Sequence, residues 1–229
     1  VSELPEDPFA LVPDEGSIIL CVGKKRSGKS VFARRLYRSW TGDKLVIDVN
    51  GEAEPGEDAE PLHELTTSFP VRHEIVGPPK PRNLHYVADP GSPTYRQDLD
   101  KAIGMALRPR DRKVLLWCDE WGEVSRVNRT EPNAQRLMMQ SRHYGPVSAL
   151  LCCPRPKNID PLSIGQADGI AIYNVPNEDD RKTLAGNMGV DYREFEDQFR
   201  ENRTRGPHAF LYWHAPSSTL IDCPPLPYP

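Results

Sequence analysis

Short apolar runs alternate along the chain with stretches whose apolar residues recur every three or four positions, the pattern of a parallel sheet covered by helices. Ser17–Val22 (SIILCV) predicts a first strand. Lys29–Trp40 predicts a helix with Phe32, Leu36 and Trp40 four residues apart on one face, and Arg34, Arg35 and Arg38 mainly on others. Lys44–Val49 (KLVIDV) reads as a second strand, Thr94–Leu107 as a helix and Lys113–Cys118 (KVLLWC) as a central strand. The alternation continues through a helix over Asn133–Tyr144, strands over Val147–Cys153 and Gly169–Asn174, and a helix over Asn177–Met188. Tyr192–Arg200 predicts a short helix and Ala209–His214 (AFLYWH) a last strand.

The segments between these elements are polar. Gly51–Pro70 carries Glu52, Glu54, Glu57, Asp58 and Glu60 among glycines and prolines, and reads as a solvated loop or short insertion. Val71–Val76 and Leu84–Ala88 are candidate strands on either side of the Pro-rich GPPKPRN. The tail CPPLPYP has too many prolines for a helix and is expected to lie extended across a surface. With no internal repeat and no clean linker, the expectation is one α/β domain over residues 1–229. Residues 1–15 would be an N-terminal extension and residues 215–229 a Pro-rich C-terminal tail.

Composition narrows the class only slightly. A chain of 229 residues can bury a substantial core, and no apolar run approaches the roughly 18 residues of a membrane span. Val1–Pro13 is acidic and Pro-bearing, unlike a signal or transit peptide, so a cytoplasmic location is expected. A net charge of −4 argues against a protein that coats itself in nucleic acid, though not against one whose basic groups line a single channel. Cys21, Cys118, Cys152, Cys153 and Cys223 are odd in number, lack a Cys-x-x-Cys, and do not combine with the histidines at zinc spacing. They read as reduced structural residues.

The strongest chemical signal is Gly23-Lys24-Lys25-Arg26-Ser27-Gly28-Lys29-Ser30, with Val31 next, between the first strand and the first helix. It fits G-x-x-x-x-G-K-[ST]. Two glycines let the backbone wrap so that successive N–H groups face phosphates, and the helix directs its positive end at the same anion. Lys29 would reach the terminal phosphates of ATP and Ser30 would ligate Mg²⁺. Further on, Val114-Leu115-Leu116-Trp117-Cys118-Asp119-Glu120 is an apolar strand ending in two carboxylates. Asp119 is placed to hold the Mg²⁺ through its water shell and Glu120 to polarise a water that attacks the γ-phosphate. A second acid favours hydrolysis over transfer to a small acceptor.

Beyond these, Ile47-Asp48-Val49-Asn50-Gly51-Glu52 resembles the "D-x-x-G-E" turn of the HerA/FtsK superfamily of DNA-translocating ATPases. Ser141-Arg142-His143-Tyr144-Gly145 resembles that group's "R-K/H-Y/F-G" segment. Arg155-Pro156, Ile159-Asp160, Gln166 and Asp180 resemble its "Q-R-P-x-x-I-D … Q … D" stretch. The resemblance runs from about Ser17 to Asp180. It implies a RecA-like P-loop NTPase fold, a mainly parallel central sheet with helices on both faces, a homo-oligomer assembled as a hexameric ring, and Arg142 delivered into the neighbouring subunit's site. A trans arginine is worth roughly 10³–10⁵ in rate, about 4–7 kcal/mol, so an isolated monomer would hydrolyse ATP poorly. The plainer reading of Arg142 is a surface residue favourable to a helix end. The sequence departs from the family at Pro154, where a sensor glutamine would align; Asn174 is the alternative sensor.

Double-stranded DNA is the partner the resemblance implies, and Trp121–Pro132 (WGEVSRVNRTEP) directly follows the catalytic acids. In it Arg126, Asn128 and Arg129 suit phosphate contacts without base readout, the alternative being an ordinary solvated loop. Arg126 and Arg129 are also rivals of Arg142 for the trans role. Arg200, Arg203 and Arg205 read as solvated or at a subunit contact, and Arg108, Arg110 and Arg112 as a neighbour interface. A core with so little around it looks like the genome-packaging ATPases of membrane-containing, tectivirus-type viruses, which dock on a capsid vertex or portal. On that reading the protein works in the host cytoplasm or at the virion vertex. A filamentous-phage-type assembly ATPase and a P-loop small-molecule kinase are the alternatives.

Overall fold

The computed structural model describes residues 16–63, 65, 81–107, 112–140 and 147–228. Eleven strands form among them: β1 (Ile18–Val22), β2 (Asp43–Asp48), β3 (Glu60–Pro61), β4 (Asn83–Val87), β5 (Val114–Cys118), β6 (Ser125–Arg126), β7 (Arg129–Thr130), β8 (Val147–Cys153), β9 (Gly169–Ile172), β10 (Phe210–His214) and β11 (Thr219–Cys223). The helices are α1 (Lys29–Ser39), α2 (Tyr95–Ala106), α3 (Pro132–Gln140), α4 (Pro161–Gly165), α5 (Glu178–Met188) and α6 (Tyr192–Thr204). Nine strands make one sheet in the order β11-β10-β9-β1-β8-β5-β2-β4-β3, and β6 and β7 pair separately as a hairpin. All pairs from β9 to β3 are parallel, and β10 is antiparallel to both of its neighbours.

The central strands are continuous apolar runs because both faces are covered. The two faces are covered unequally. Ile18, Leu20 and Val22 of β1 point into a large core with residues of α2 through α6, while Ile19 and Cys21 point to a smaller one built on α1. There Phe32 packs edge-on to Phe210 with ring centres 5.9 Å apart and stacks on Tyr212, and Tyr37 meets Trp117 at 6.0 Å. The helices behind β8 are fixed by side-chain caps that satisfy free N–H groups. Asp160 caps α4, Asn177 caps α5 and Asp191 caps α6. All five cysteines are buried thiols.

Several boundaries differ from expectation. The segment read as tail contains β11, which adds an edge strand to β10; its sequence TLIDC is half-exposed, so its alternation is weak. The loop expected over Trp121–Pro132 instead holds a single 3-10 turn (Trp121–Glu123) and the β6–β7 hairpin, with Asn128 at a φ of +61° in its turn. Within the acidic stretch Glu60–Pro61 pairs with β4 as a two-residue strand. The first helix after the hairpin begins at Pro132, α6 runs on to Thr204, and the short helix α4 falls where none was expected. The strand expected over Val71–Val76 and the end of the Asn133–Tyr144 helix lie outside the described residues.

Candidate active site

The phosphate-loop sequence leaves the sheet at its centre, where β1 runs between β8 and β9. The Gly23 N–H donates to the Cys153 carbonyl at 3.2 Å and the Lys24 N–H to the Asn174 carbonyl at 2.9 Å, so the loop is anchored to both flanking strand ends. Its wrap needs left-handed backbone at Gly23 (φ +145°), Arg26 (φ +61°) and Gly28 (φ +116°). Space enforces glycine as well: a Cβ on Gly28 would lie 2.7 Å from Cε1 of Tyr173, and one on Gly23 2.8 Å from the Tyr173 Cβ. Tyr173, itself buried, is therefore the surface against which the loop is moulded.

Within the loop, Lys29 Nζ donates to the carbonyls of Gly23 (2.6 Å) and Lys24 (3.0 Å), which holds the ammonium across the concavity. The Ser27 Oγ is buried and has no partner among the described residues. No side chain caps the start of α1, so its leading N–H groups face the loop's interior. Lys24, Lys25, Arg26 and Ser30 are exposed and Val31 half-buried at the helix start. The result is a cationic cradle of backbone donors, with Lys29 at its centre.

Across from it, Asp119 and Glu120 follow the buried strand β5, and the Asp119 N–H continues the sheet by donating to the Ile47 carbonyl at 3.1 Å. Both carboxyls titrate high. Burial is the main cause for Glu120, followed by the charge of Asp119, and together they push it up to about 7 although Lys29 pulls the other way. Asp119 is raised by burial and then by Asp48, against the same lysine. The acids and the lysine thus share one electrostatic field, with more negative charge than Lys29 offsets.

Asp48 explains the turn after β2. Its carboxylate, buried, accepts the N–H groups of Asn50 (3.2 Å), Glu52 (3.1 Å) and Ala53 (3.0 Å) and lies 3.2 Å from His85 Nε2. With Gly51 at a φ of +68°, this folds the chain back so that Glu52 approaches Lys25 at 3.6 Å and adds to the field on Asp119. Among the described residues no three His, Cys, Asp or Glu side chains converge as a closed metal cage. The donors present, the exposed Ser30 hydroxyl and the under-compensated Asp119, fit Mg²⁺, which keeps its waters and takes one or two protein ligands plus phosphates.

The 3-10 turn and hairpin that follow Glu120 are tied to the segment beyond β8. Trp121 Nε1 donates to Ser163 Oγ at 2.8 Å, Ser125 and Ser163 hydroxyls lie 3.0 Å apart, and Thr130 Oγ1 donates to Asp160 Oδ2 at 2.9 Å. Asp160 simultaneously caps α4 through the Leu162 N–H at 2.9 Å. The Arg-Pro pair is similarly fixed: Arg155 Nε donates to Asp180 at 3.2 Å, and the Lys157 N–H to the same carboxylate at 3.1 Å. Gln166 sits exposed at the end of α4. Pro154 lines a cleft of about 700 Å³ with Glu120, Arg126, Arg155 and Asn158.

Of the three residues expected to touch DNA, Arg126 is engaged internally, donating to the Gly122 carbonyl and to both Glu123 oxygens at 3.1 Å. Asn128 and Arg129 are exposed at the hairpin tip beside Val127. The Asn174 carbonyl anchors the loop by accepting the Lys24 N–H. The basic residues at the end of α6 are likewise committed: Arg200 pairs with Glu196, Arg205 with Asp222, and Arg203 donates to the carbonyls of Gly206, Pro207 and Ala209. Arg112 pairs with Asp43, while Arg108, Arg110 and the whole Ser141–Gly145 segment with Arg142 lie outside the described residues. Tyr173, His85 and Glu123 carry parts of this geometry without any motif to mark them.

No protein-family model matches the sequence, and no curated protein matches it significantly. Solved structures do match. The genome packaging NTPase B204 from Sulfolobus turreted icosahedral virus 2, in complex with sulfate, superposes with a TM-score of 0.71 at 16% identity, over 94% of this chain and 98% of that one. The chain shares its fold with a viral genome-packaging NTPase. The same protein in complex with AMPPCP gives a TM-score of 0.69 at 18% identity, over 93% and 99% of the two chains. B204 of Sulfolobus Turreted Icosahedral Virus, described as a DNA-packaging ATPase, gives 0.64 at 19% identity, over 94% and 100%. The expected α/β architecture, a mostly parallel sheet with helices in the manner of RecA-like P-loop NTPases, is thereby established.

Proposed function

We propose that this chain is an ATP-hydrolysing DNA translocase that packages a viral genome into a preformed capsid. The observation that carries the reading is the confrontation of Lys29, held across a glycine-moulded loop, with the half-buried and under-neutralised pair Asp119 and Glu120. The fold shared with B204 over nearly the whole of both chains supports it.

In this reading the loop from Gly23 to Val31 wraps the phosphates of ATP, with Gly23 and Lys24 anchoring it to the sheet and the N–H groups from Lys25 to Ser30 left to meet the anion. Lys29 exchanges its two carbonyl partners for the terminal phosphates. Ser30 and Asp119 hold Mg²⁺, which supplies charge neutralisation on the transferring phosphoryl group. Glu120 accepts the proton of the attacking water, a role for which a carboxyl raised toward neutrality is suited. Arg142 from the next subunit of a hexameric ring completes the site. The hairpin tip, Asn128 and Arg129, contacts the backbone of double-stranded DNA, with Arg126 released from Glu123 as a third contact. Because only one short turn separates the hairpin from Glu120, and the hairpin is bonded to Asp160 and Ser163, a change at the γ-phosphate has a short mechanical route to it. The protein would act in the host cytoplasm, docked on a capsid vertex or portal; among the described residues no helix is long and apolar enough to cross a membrane.

The test is Mg²⁺-dependent phosphate release from ATP together with displacement of a third strand from a triplex at the end of a linear duplex. Wild type should do both, and Lys29→Ala and Glu120→Gln neither. Hydrolysis that survives Lys29→Ala, or wild-type turnover with no strand displacement at any DNA length, would contradict the proposal.

A further inference from the structure

A second cavity, of about 500 Å³, opens from the phosphate loop. Gly28 to Val31 form its floor, and neither Asp119 nor Glu120 lines it. Its other walls come from far along the chain: Tyr173 after β9, His208 before β10, and Leu226 and Tyr228 of the Pro-rich stretch. A nucleotide whose γ-phosphate points to Asp119 and Glu120 must run out of the loop in the opposite direction. This cavity shares the loop residues Gly28 to Val31 and excludes both acids, as a nucleoside site would.

We propose that the Pro-rich segment after β11 is the nucleoside wall of the site, with Tyr228 and Leu226 holding a planar nucleobase against the loop. The inference rests on the ATP-site reading above. Three observations carry it. The first is chemistry: Tyr228 is 73% exposed, an unusual state for a large ring, while His208 is exposed across the same cavity and Leu226 is half-buried against the α1 core. Exposed rings beside an apolar wall suit an aromatic heterocycle better than a second anion. The second is Tyr173, which lines the cavity and whose buried hydroxyl has no hydrogen-bond partner among the described residues.

The third is the way the segment is held. Arg34, on α1 one turn beyond the loop, donates from one guanidinium nitrogen to the Tyr228 hydroxyl at 2.7 Å. Its other terminal nitrogen lies 2.8 Å from Glu54, and the guanidinium carbon sits 5.7 Å from the Tyr228 ring centre. The side chain of Arg34 is only 11% exposed, so the clamp is built on a fixed post. Proline at 224, 225, 227 and 229 limits the conformations of the segment that Arg34 must hold. Arg34 is thus a positioning residue, joining the helix that follows the phosphate loop, the acidic turn and the base wall.

The experiment compares binding of ATP with binding of inorganic tripolyphosphate, which has the phosphates and no nucleoside, by calorimetry on the full chain. Tyr228→Ala should weaken ATP by about 5- to 150-fold, the range of one base–aromatic stack, and leave tripolyphosphate unchanged. Tyr228→Phe, which keeps the ring but loses the Arg34 hydrogen bond, should fall between wild type and Tyr228→Ala for ATP, and Leu226→Ala should weaken ATP alone. An equal loss of both ligands in Tyr228→Ala, or unchanged ATP affinity in Tyr228→Ala and Leu226→Ala while Lys29→Ala abolishes it, would overturn the inference and leave the phosphate site standing. Undiminished ATP binding in Lys29→Ala would remove the site reading and this inference with it.

Discussion

Glu120 gives a prediction whose size can be worked from its surroundings. In the nucleotide-free protein its carboxyl is held up from 4.5 to about 7 by burial and by Asp119. A raised carboxylate is one whose ionised form is disfavoured in the folded state. Above pH 7 the group is ionised in both folded and unfolded chains, and folding bears the full cost; below 4.5 it is neutral in both and the cost vanishes. At about 1.36 kcal/mol for each tenfold step, the rise corresponds to about 3 kcal/mol. Glu120 is only partly buried, and screening by solvent reduces the expected cost to about 1–2 kcal/mol. Glu120→Gln removes the charge at nearly constant shape. At pH 8 in EDTA and without nucleotide, the variant should therefore melt about 2–8 °C above wild type. The advantage should shrink to about half of that by pH 5 and vanish below it. Thermal unfolding followed by circular dichroism across pH 5–8.5 reads both. A variant no more stable than wild type at pH 8, or an advantage that does not decline with acid, would refute the electrostatic account of the paired acids. The same variant should retain ATP binding and lose turnover, as expected of a group that stores unfavourable energy for use in chemistry.

Two further outcomes follow from the local geometry. Gly28→Ala combines a φ of +116° with a Cβ 2.7 Å from the Tyr173 ring, so it should cost about 1–3 kcal/mol in denaturant unfolding and eliminate ATP binding by calorimetry. Asp160→Ala removes the α4 cap and the Thr130 anchor together; it should destabilise by about 1–2 kcal/mol and reduce stimulation of hydrolysis by DNA more than hydrolysis itself, measured by phosphate release with and without duplex.

Much of this was legible before any coordinates. The buried strands β1 and β5 are continuous apolar runs, β2 and β8 are apolar at their centres, and the glycine pattern of the loop makes sense only between a strand and a helix. What escaped has physical reasons. The β6–β7 hairpin consists of two-residue strands around a non-glycine turn, too short to show alternation. Strand β11 is half-exposed and abuts the prolines, so composition hid it. Arg126 looked available because its partner Glu123 lies three residues back across a bend, a pairing that only the turn creates. Tyr173 and Tyr228 reach the loop through contacts some 150 to 200 residues distant in sequence, which no local pattern records. Helical periodicity identified α1 as amphipathic yet could not reveal that it covers its face of the sheet without another helix of the described chain beside it.

The most direct test of the whole account is the rate of ATP hydrolysis per subunit across a protein concentration series, with and without double-stranded DNA, for wild type and Arg142→Ala. The account predicts a rate that climbs as subunits associate, climbs again with DNA, and collapses in Arg142→Ala although ATP still binds. A rate indifferent to concentration, to DNA and to Arg142 would contradict it.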